Sequence, residues 1–232
     1  MNSISENIEI IKNEIKEICN KKGMNYDEIT LIAVTKTIGI MRIKEAIASG
    51  INDIGENKVQ EIMDKYEDLK ELSNFHLIGH LQSNKVKYII DKVKLIHSVD
   101  SLSLMDEINK RAKKAETIAN ILIQINVARE DTKFGIGIEE LDSYIEYASK
   151  LDSIRVQGLM TIAPYFEDAE EARSIFRNLK SKYDELSKRD YGNIEMKFLS
   201  MGMTNDYKIA LEEGSNMIRV GTGIFGKRIY NL

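Results

Sequence analysis

Eight short apolar runs, rich in Val and Ile and separated by stretches of helical periodicity, constrain this chain more than any other feature. They are ITLIAVTK ending at Lys36, NDIGEN ending at Asn57, FHLIGH ending at His80 and LIHSVD ending at Asp100. ILIQINV ending at Val127, VQGLMTI ending at Ile162, KFLSMGM ending at Met203 and NMIRVGTGIF ending at Phe225 complete the set. Runs of this kind suit parallel strands covered on both faces and joined by crossover helices. Between them, positions such as Val59, Ile62, Met63, Tyr66, Leu69 and Ala172, Phe176, Leu179, Tyr183, Leu186 recur at helix spacing. Eight evenly spaced units without a long insertion favour an α/β fold closed as a (β/α)8 TIM-type barrel over an open doubly wound sheet. The second run, short and polar, carries the weakest strand signal.

Ahead of the first run, Ser3 and Glu6 form a capping-box pattern, and Ile4, Ile8, Ile11, Ile15 and Ile18 mark one helix face. An extra N-terminal helix is therefore expected, packed where the last helix of a barrel would otherwise lie. With one proline, Pro164, and no linker-like composition, residues 1–232 read as a single domain. A formal net charge of -4 argues against a nucleic-acid partner. No unbroken apolar run suggests a signal peptide or membrane span, and the lone Cys19 fits a buried helix position in a reducing compartment. A cytoplasmic, monomeric protein is the expectation.

Catalytic groups in such barrels gather at the C-terminal strand ends. Lys36 ends the first run, where apolar walls favour a neutral, nucleophilic amine; a solvated lip lysine is the competing reading. The last two runs offer Ser200, Gly202 and Thr204, then Arg219, Gly221, Thr222 and Gly223. Glycine-exposed N–H groups beside hydroxyls make a phosphate nest, although a simple strand bend explains glycines too. Barrel closure sets the eighth strand beside the first, so nest and Lys36 would share one mouth. That pairing suits a phosphorylated aldehyde.

Other patterns carry less. GTGIFG from Gly221 matches the dinucleotide fingerprint, but no crossover unit or later acidic residue follows it. His76 and His80, four residues apart on a strand, would be separated by roughly 13 Å, so no shared metal is expected. No nucleophile elbow or Cys–His pairing stands out. Asn57 could touch a ligand or cap the following helix.

Taken together, AVTKT around Lys36, GENKVQE from Gly55, HLIGHLQSNK from His76, KFG from Lys133, GLMTIAP from Gly158, SMGMTND from Ser200 and RVGTGIFG from Arg219 closely resemble one family. It is that of the pyridoxal phosphate homeostasis proteins (YggS/PROSC), whose barrel is similar to the cofactor domain of alanine racemase. The resemblance runs from about the first strand to Arg228. It implies that Lys36 carries pyridoxal 5′-phosphate as an imine, that Ser200, Gly221 and Thr222 hold its phosphate, that Arg219 faces the pyridine nitrogen, that Asn57 lies beside the ring and that Gly202 is a further cofactor-binding residue. Lys58, Thr204 and Asn216 depart from the family pattern beside this site.

The resemblance further implies a role in vitamin B6 homeostasis, with apo forms of pyridoxal phosphate enzymes as partners. A racemase-like enzyme is the alternative. Arg219 opposes protonation of the pyridine nitrogen and so weakens the electron sink that amino-acid chemistry uses. No second acid- or base-bearing domain is expected in this chain. A Schiff-base aldolase is a third reading, disfavoured because Met160 and Thr161 stand on the sixth run where such a lysine usually lies.

Overall fold

The computed structural model describes residues 2–128 and 134–226, so Lys133 and Arg228 lie outside the described residues. Helix α1 (Ile4–Lys22) comes first, with Ser3 and Glu6 making the reciprocal capping bonds. The barrel then alternates β1 (Thr30–Val34), α2 (Ile40–Ala48), β2 (Asp53–Glu56), α3 (Val59–Leu69), β3 (Asn74–Leu77), β4 (Leu95–Val99) and α4 (Leu102–Lys114). It continues through β5 (Ala119–Gln124), α5 (Leu141–Ala148), β6 (Ile154–Met160), α6 (Arg173–Leu186), β7 (Ile194–Met203), α7 (Tyr207–Glu212), β8 (Met217–Val220) and α8 (Thr222–Phe225). All eight strands are parallel and close in sequence order, with β8 paired to β1.

Most expected strands end earlier than their apolar runs. Thr35 and Lys36 lie beyond β1, and residues 78–80 lie beyond β3, because chain at the mouth leaves the ladder to form loops. The eighth run is the largest correction: Gly221, with φ -111° and ψ -81°, ends the strand, and residues 222–225 turn helical. Ile224 and Phe225 are thereby buried, and Asn7 and Arg42 donate to their carbonyls. The unit between β3 and β4 has no α-helix, only a 3-10 segment over Ser83–Tyr88. The polar second run does form a strand, in register with β1 and β3.

Helix α1 packs against α2, α7 and α8, filling the expected gap. Its face of Ile4, Ile8, Ile11, Ile15 and Ile18 is buried together with Cys19, and Glu14 accepts hydrogen bonds from Tyr207 and Lys208 of α7. The main core lies between strands and helices, whereas Ile32, Leu95, Leu122, Met160 and Met217 form a separate cluster. Strand period two sends His97, Ser200 and Arg219 to the same side as Leu95, Phe198 and Met217, so a polar group sits above an apolar plug inside the barrel.

Candidate functional site

Lys36 is half-buried in a turn two residues past β1. Its neighbour Thr37 has φ 64°, a left-handed conformation that costs a non-glycine residue roughly 1–2 kcal/mol. The turn persists because both flanks are gripped. The Thr37 N–H donates to Glu61 Oε2 at 2.6 Å, and Lys65 Nζ donates to the Thr35 carbonyl at 2.9 Å. Lys65 also pairs with Glu56 at 2.7 Å and Glu61 at 3.1 Å, while the Thr35 hydroxyl donates to Glu56 at 2.7 Å. Burial opposes ionisation of Glu61, yet the Thr37 N–H and Lys65 hold its pKa below the usual carboxylate value. For Glu56 burial prevails and the pKa rises, despite Lys65 and Thr35. Its Oε2 is buried with no hydrogen-bond partner among the described residues.

Across the mouth, β8 pairs with β1 through Ala33 and Val220, and a Cβ built on Gly221 would stand 3.4 Å from Val34 Cβ. The lysine turn and the glycine-rich end thus share one rim. Thr204 Oγ1 accepts from the N–H groups of both Gly221 and Gly223 at 3.3 Å, which ties the end of β7 to the start of α8 and brings hydroxyl and glycine backbone together there. Gly202, at φ 93°, lets α7 lie close: a Cβ there would stand 2.6 Å from Ala210 Cβ. Gly202 therefore shapes the loop, whereas Thr204, Gly221, Thr222 and Gly223 form its rim.

Arg219 is fully enclosed. Its Nη1 donates to Ser200 Oγ at 2.5 Å and its Nη2 to the Thr161 carbonyl at 2.8 Å. Burial lowers its pKa to about 10, opposed by Asp206, so the guanidinium remains a cation at neutral pH. Ser200 is wholly buried, and its hydroxyl also meets His97 Nδ1 at 3.0 Å. The structure thus brings Ser200 to Arg219 on the barrel axis, not to the glycine N–H groups. Asn57 precedes α3, whose N-cap is Lys58 without a side-chain bond, so helix capping does not explain it. Its backbone presses on Gly79, where a Cβ would stand 2.4 Å from the Asn57 carbonyl oxygen, and it lines a cavity with His80 and Lys85.

His76 and His80 have separate partners. His76 meets His97 and Asp53, whereas His80 stacks on Phe134 and faces Asp100 at 3.4 Å. Sequence reading passed over His97 and the Glu61–Lys65 brace. Two signals were available: the four-residue spacing of Glu61 and Lys65 on one helix face, and the alternation that turns His97 inward with Leu95.

A family model described as alanine racemase, N-terminal domain, matches residues 2–228. A pyridoxal phosphate homeostasis protein of Aquifex aeolicus is 43% identical over 226 residues, covering 97% of this chain and 98% of the relative. The chain belongs to the pyridoxal phosphate homeostasis family. An Escherichia coli member is 36% identical over 242 residues, covering 100% of this chain and 99% of its own. A solved structure of another member, PipY of Synechococcus elongatus with PLP bound, superposes with a TM-score of 0.79 at 31% identity, covering 92% of this chain and 100% of PipY. Within this family setting, the mouth carrying Lys36, Thr204, Arg219 and Gly221 is the candidate cofactor site, in agreement with the closed barrel and alanine-racemase likeness expected from sequence.

Proposed function

We propose that this protein binds pyridoxal 5′-phosphate at the barrel mouth, covalently through Lys36, and serves its homeostasis as a carrier and not as an amino-acid enzyme. The observation that carries the reading is the shared rim of β1 and β8: an anchored lysine turn beside the Thr204–Gly221–Gly223 donors, with a buried arginine behind them. The donor set fits the cofactor. Its aldehyde, when bound, condenses with primary amines and releases water.

Lys36 supplies the amine, and the brace on Thr35 and Thr37 limits where that amine can reach. The Thr204 and Thr222 hydroxyls are donors for the phosphate, and the Gly221 and Gly223 N–H groups join them by turning from Thr204 Oγ1 to the phosphate oxygens. Ser200 and Gly202 act indirectly, the first by holding Arg219 and the second by admitting α7. Arg219 can only donate, so it would meet an unprotonated ring nitrogen and leave the ring a poor electron sink. Asn57 lies at the rim for the ring's flank. The homeostasis names of the relatives support a carrier role.

We further read residues 1–232 as one monomeric domain acting in the cytoplasm, with apo-enzymes as recipients. Among the described residues, no helix is long and apolar enough to cross a membrane. The test incubates loaded protein with an apo-enzyme, and in parallel with L- and D-amino acids in deuterated water. Activation of the apo-enzyme without multiple-turnover exchange at the α-carbon is expected. Sustained racemisation or deuteration that disappears in Lys36→Ala would overturn the carrier reading in favour of a racemase-like enzyme.

A further inference from the structure

Inside the barrel, a chain of side chains leads away from Arg219 to the opposite end. Ser200 Oγ lies 3.0 Å from His97 Nδ1, His97 Nε2 lies 2.9 Å from His76 Nδ1, and His76 Nε2 lies 2.9 Å from Asp53 Oδ1. His76, His97 and Ser200 are buried. Asp53, at the start of β2, lines a cavity of about 330 Å³ at the N-terminal end, together with Lys12, Tyr26 and Asn52. Nothing in cofactor attachment requires two imidazoles in edge-to-face contact there.

Donor accounting gives the chain a direction. A guanidinium only donates, so Ser200 Oγ accepts from Arg219 and passes its own hydrogen to His97 Nδ1. Neutral His97 then carries its hydrogen on Nε2 and donates to His76 Nδ1. His76 in turn carries its hydrogen on Nε2 and donates to the Asp53 carboxylate. With both rings neutral, every hydrogen in the chain has an acceptor.

We propose that Asp53, His76 and His97 form a polarised relay that takes the Ser200 hydrogen and so fixes the hydroxyl in place as it accepts from Arg219, making both histidines positioning residues for the arginine at the cofactor site. The groups facing the relay agree with this. Burial lowers the pKa of His97, helped by His76 and Arg219, and Asp206 faces Arg219 from beyond. Burial also lowers that of His76 against the pull of Asp53, and Lys94 adds to the lowering. Uptake of one proton from solvent, with none released, leaves His76 doubly protonated beside Asp53. The hydrogen of His97 then sits on Nδ1, and Ser200 accepts from both sides. Acid therefore reverses the relay and turns the Ser200 hydrogen away from His97.

The link to the cofactor rests on the function proposed above, whereas the relay itself does not. Long-range 1H–15N spectra of the full chain with 15N-labelled histidine, recorded from pH 8 to 5 without cofactor, test the relay. The expected result at pH 8 is hydrogen on Nε2 of both rings, with a His76 acid midpoint below the usual histidine value. Asp53→Asn removes the charge that favours His76 protonation, so the midpoint falls by about 1 to 3 units. Hydrogen on Nδ1 of either ring at pH 8, or a midpoint indifferent to Asp53→Asn, would overturn the relay.

Absorbance titration with pyridoxal phosphate tests the positioning role. His97→Gln, which keeps a donor and an acceptor, should stay within about threefold of the parent Kd, and His97→Leu should weaken it about tenfold. The Kd of the parent should also rise as pH falls through the His76 midpoint, whereas that of His97→Leu should not. Equal pH profiles for parent and His97→Leu overturn the positioning role. A chain that binds no pyridoxal phosphate yet shows the expected tautomers refutes the proposed function and leaves the relay standing.

Discussion

The two sides of the barrel mouth are built from opposite materials. On the β1–β2 side, a turn with a left-handed Thr37 is held by a buried cluster of Lys65, Glu56 and Glu61. On the β7–β8 side, glycine N–H groups and the Thr204 hydroxyl form the rim, with no charged side chain bonded to those N–H groups among the described residues. The difference suits what each side would do in the proposed carrier. A reactive amine has to be held in one place, and hydrogen bonds that tie the backbone on both flanks to Glu61 and Lys65 overdetermine the strained turn. An anion needs donors close to the backbone, and glycine allows that approach.

Breaking the charged side should have the largest effect. Lys65→Met leaves Glu56 and Glu61 facing each other with no buried cation, a loss of about 3–5 kcal/mol in stability by urea unfolding. The same variant should slow cofactor attachment at Lys36, because the Thr35 carbonyl loses its donor. A loss below about 1 kcal/mol would show that the cluster does not hold the turn.

Asp53, at the far end of the barrel, provides a charged comparison outside the mouth. Burial opposes its ionisation, but His76 and Lys94 bring its pKa to about 2 from 3.8. A carboxylate whose folded pKa is depressed contributes stability above its unfolded value and loses it as pH falls toward the folded one. About 2 kcal/mol should therefore disappear between pH 4 and pH 2, and Asp53→Asn should flatten that part of the stability profile. An unchanged profile in the variant would contradict this.

On the neutral side the effect is smaller and confined to binding. Thr204→Val removes one hydroxyl at nearly constant volume and should weaken pyridoxal phosphate about tenfold while leaving pyridoxal unchanged, as read by absorbance titration. Equal weakening of both ligands would show that Thr204 shapes the loop and does not read the phosphate.

The fold was legible because every run but the short, polar second one was apolar enough to demand cover on both faces, and α1 announced itself through five isoleucines and a capping box. Strand ends were not legible, since composition does not change where the ladder stops: GTGIF reads as strand but bends at Gly221 into α8. The missing helix after β3 was hidden because Val86, in the 3-10 segment, and Ile89, at its C-terminal cap, still recur at a helix-like spacing. At the site, Lys36, Arg219 and Gly221 stood out through chemistry at strand ends. The assignments of Ser200 and Thr204 depended on which hydroxyl faces the axis and which the rim, a matter of register through the irregular pairing of β7 with β8. His97 was hidden inside a run that otherwise reads as core.

The central claim is that the braced turn presents Lys36 to pyridoxal phosphate. Borohydride reduction of the loaded protein, followed by peptide mass mapping, tests it most directly. The account predicts the reduced pyridoxyl adduct on Lys36, with loss of the visible absorbance band and no adduct at this position in Lys36→Ala. An adduct mainly on another lysine, or a band undiminished in Lys36→Ala, would contradict it.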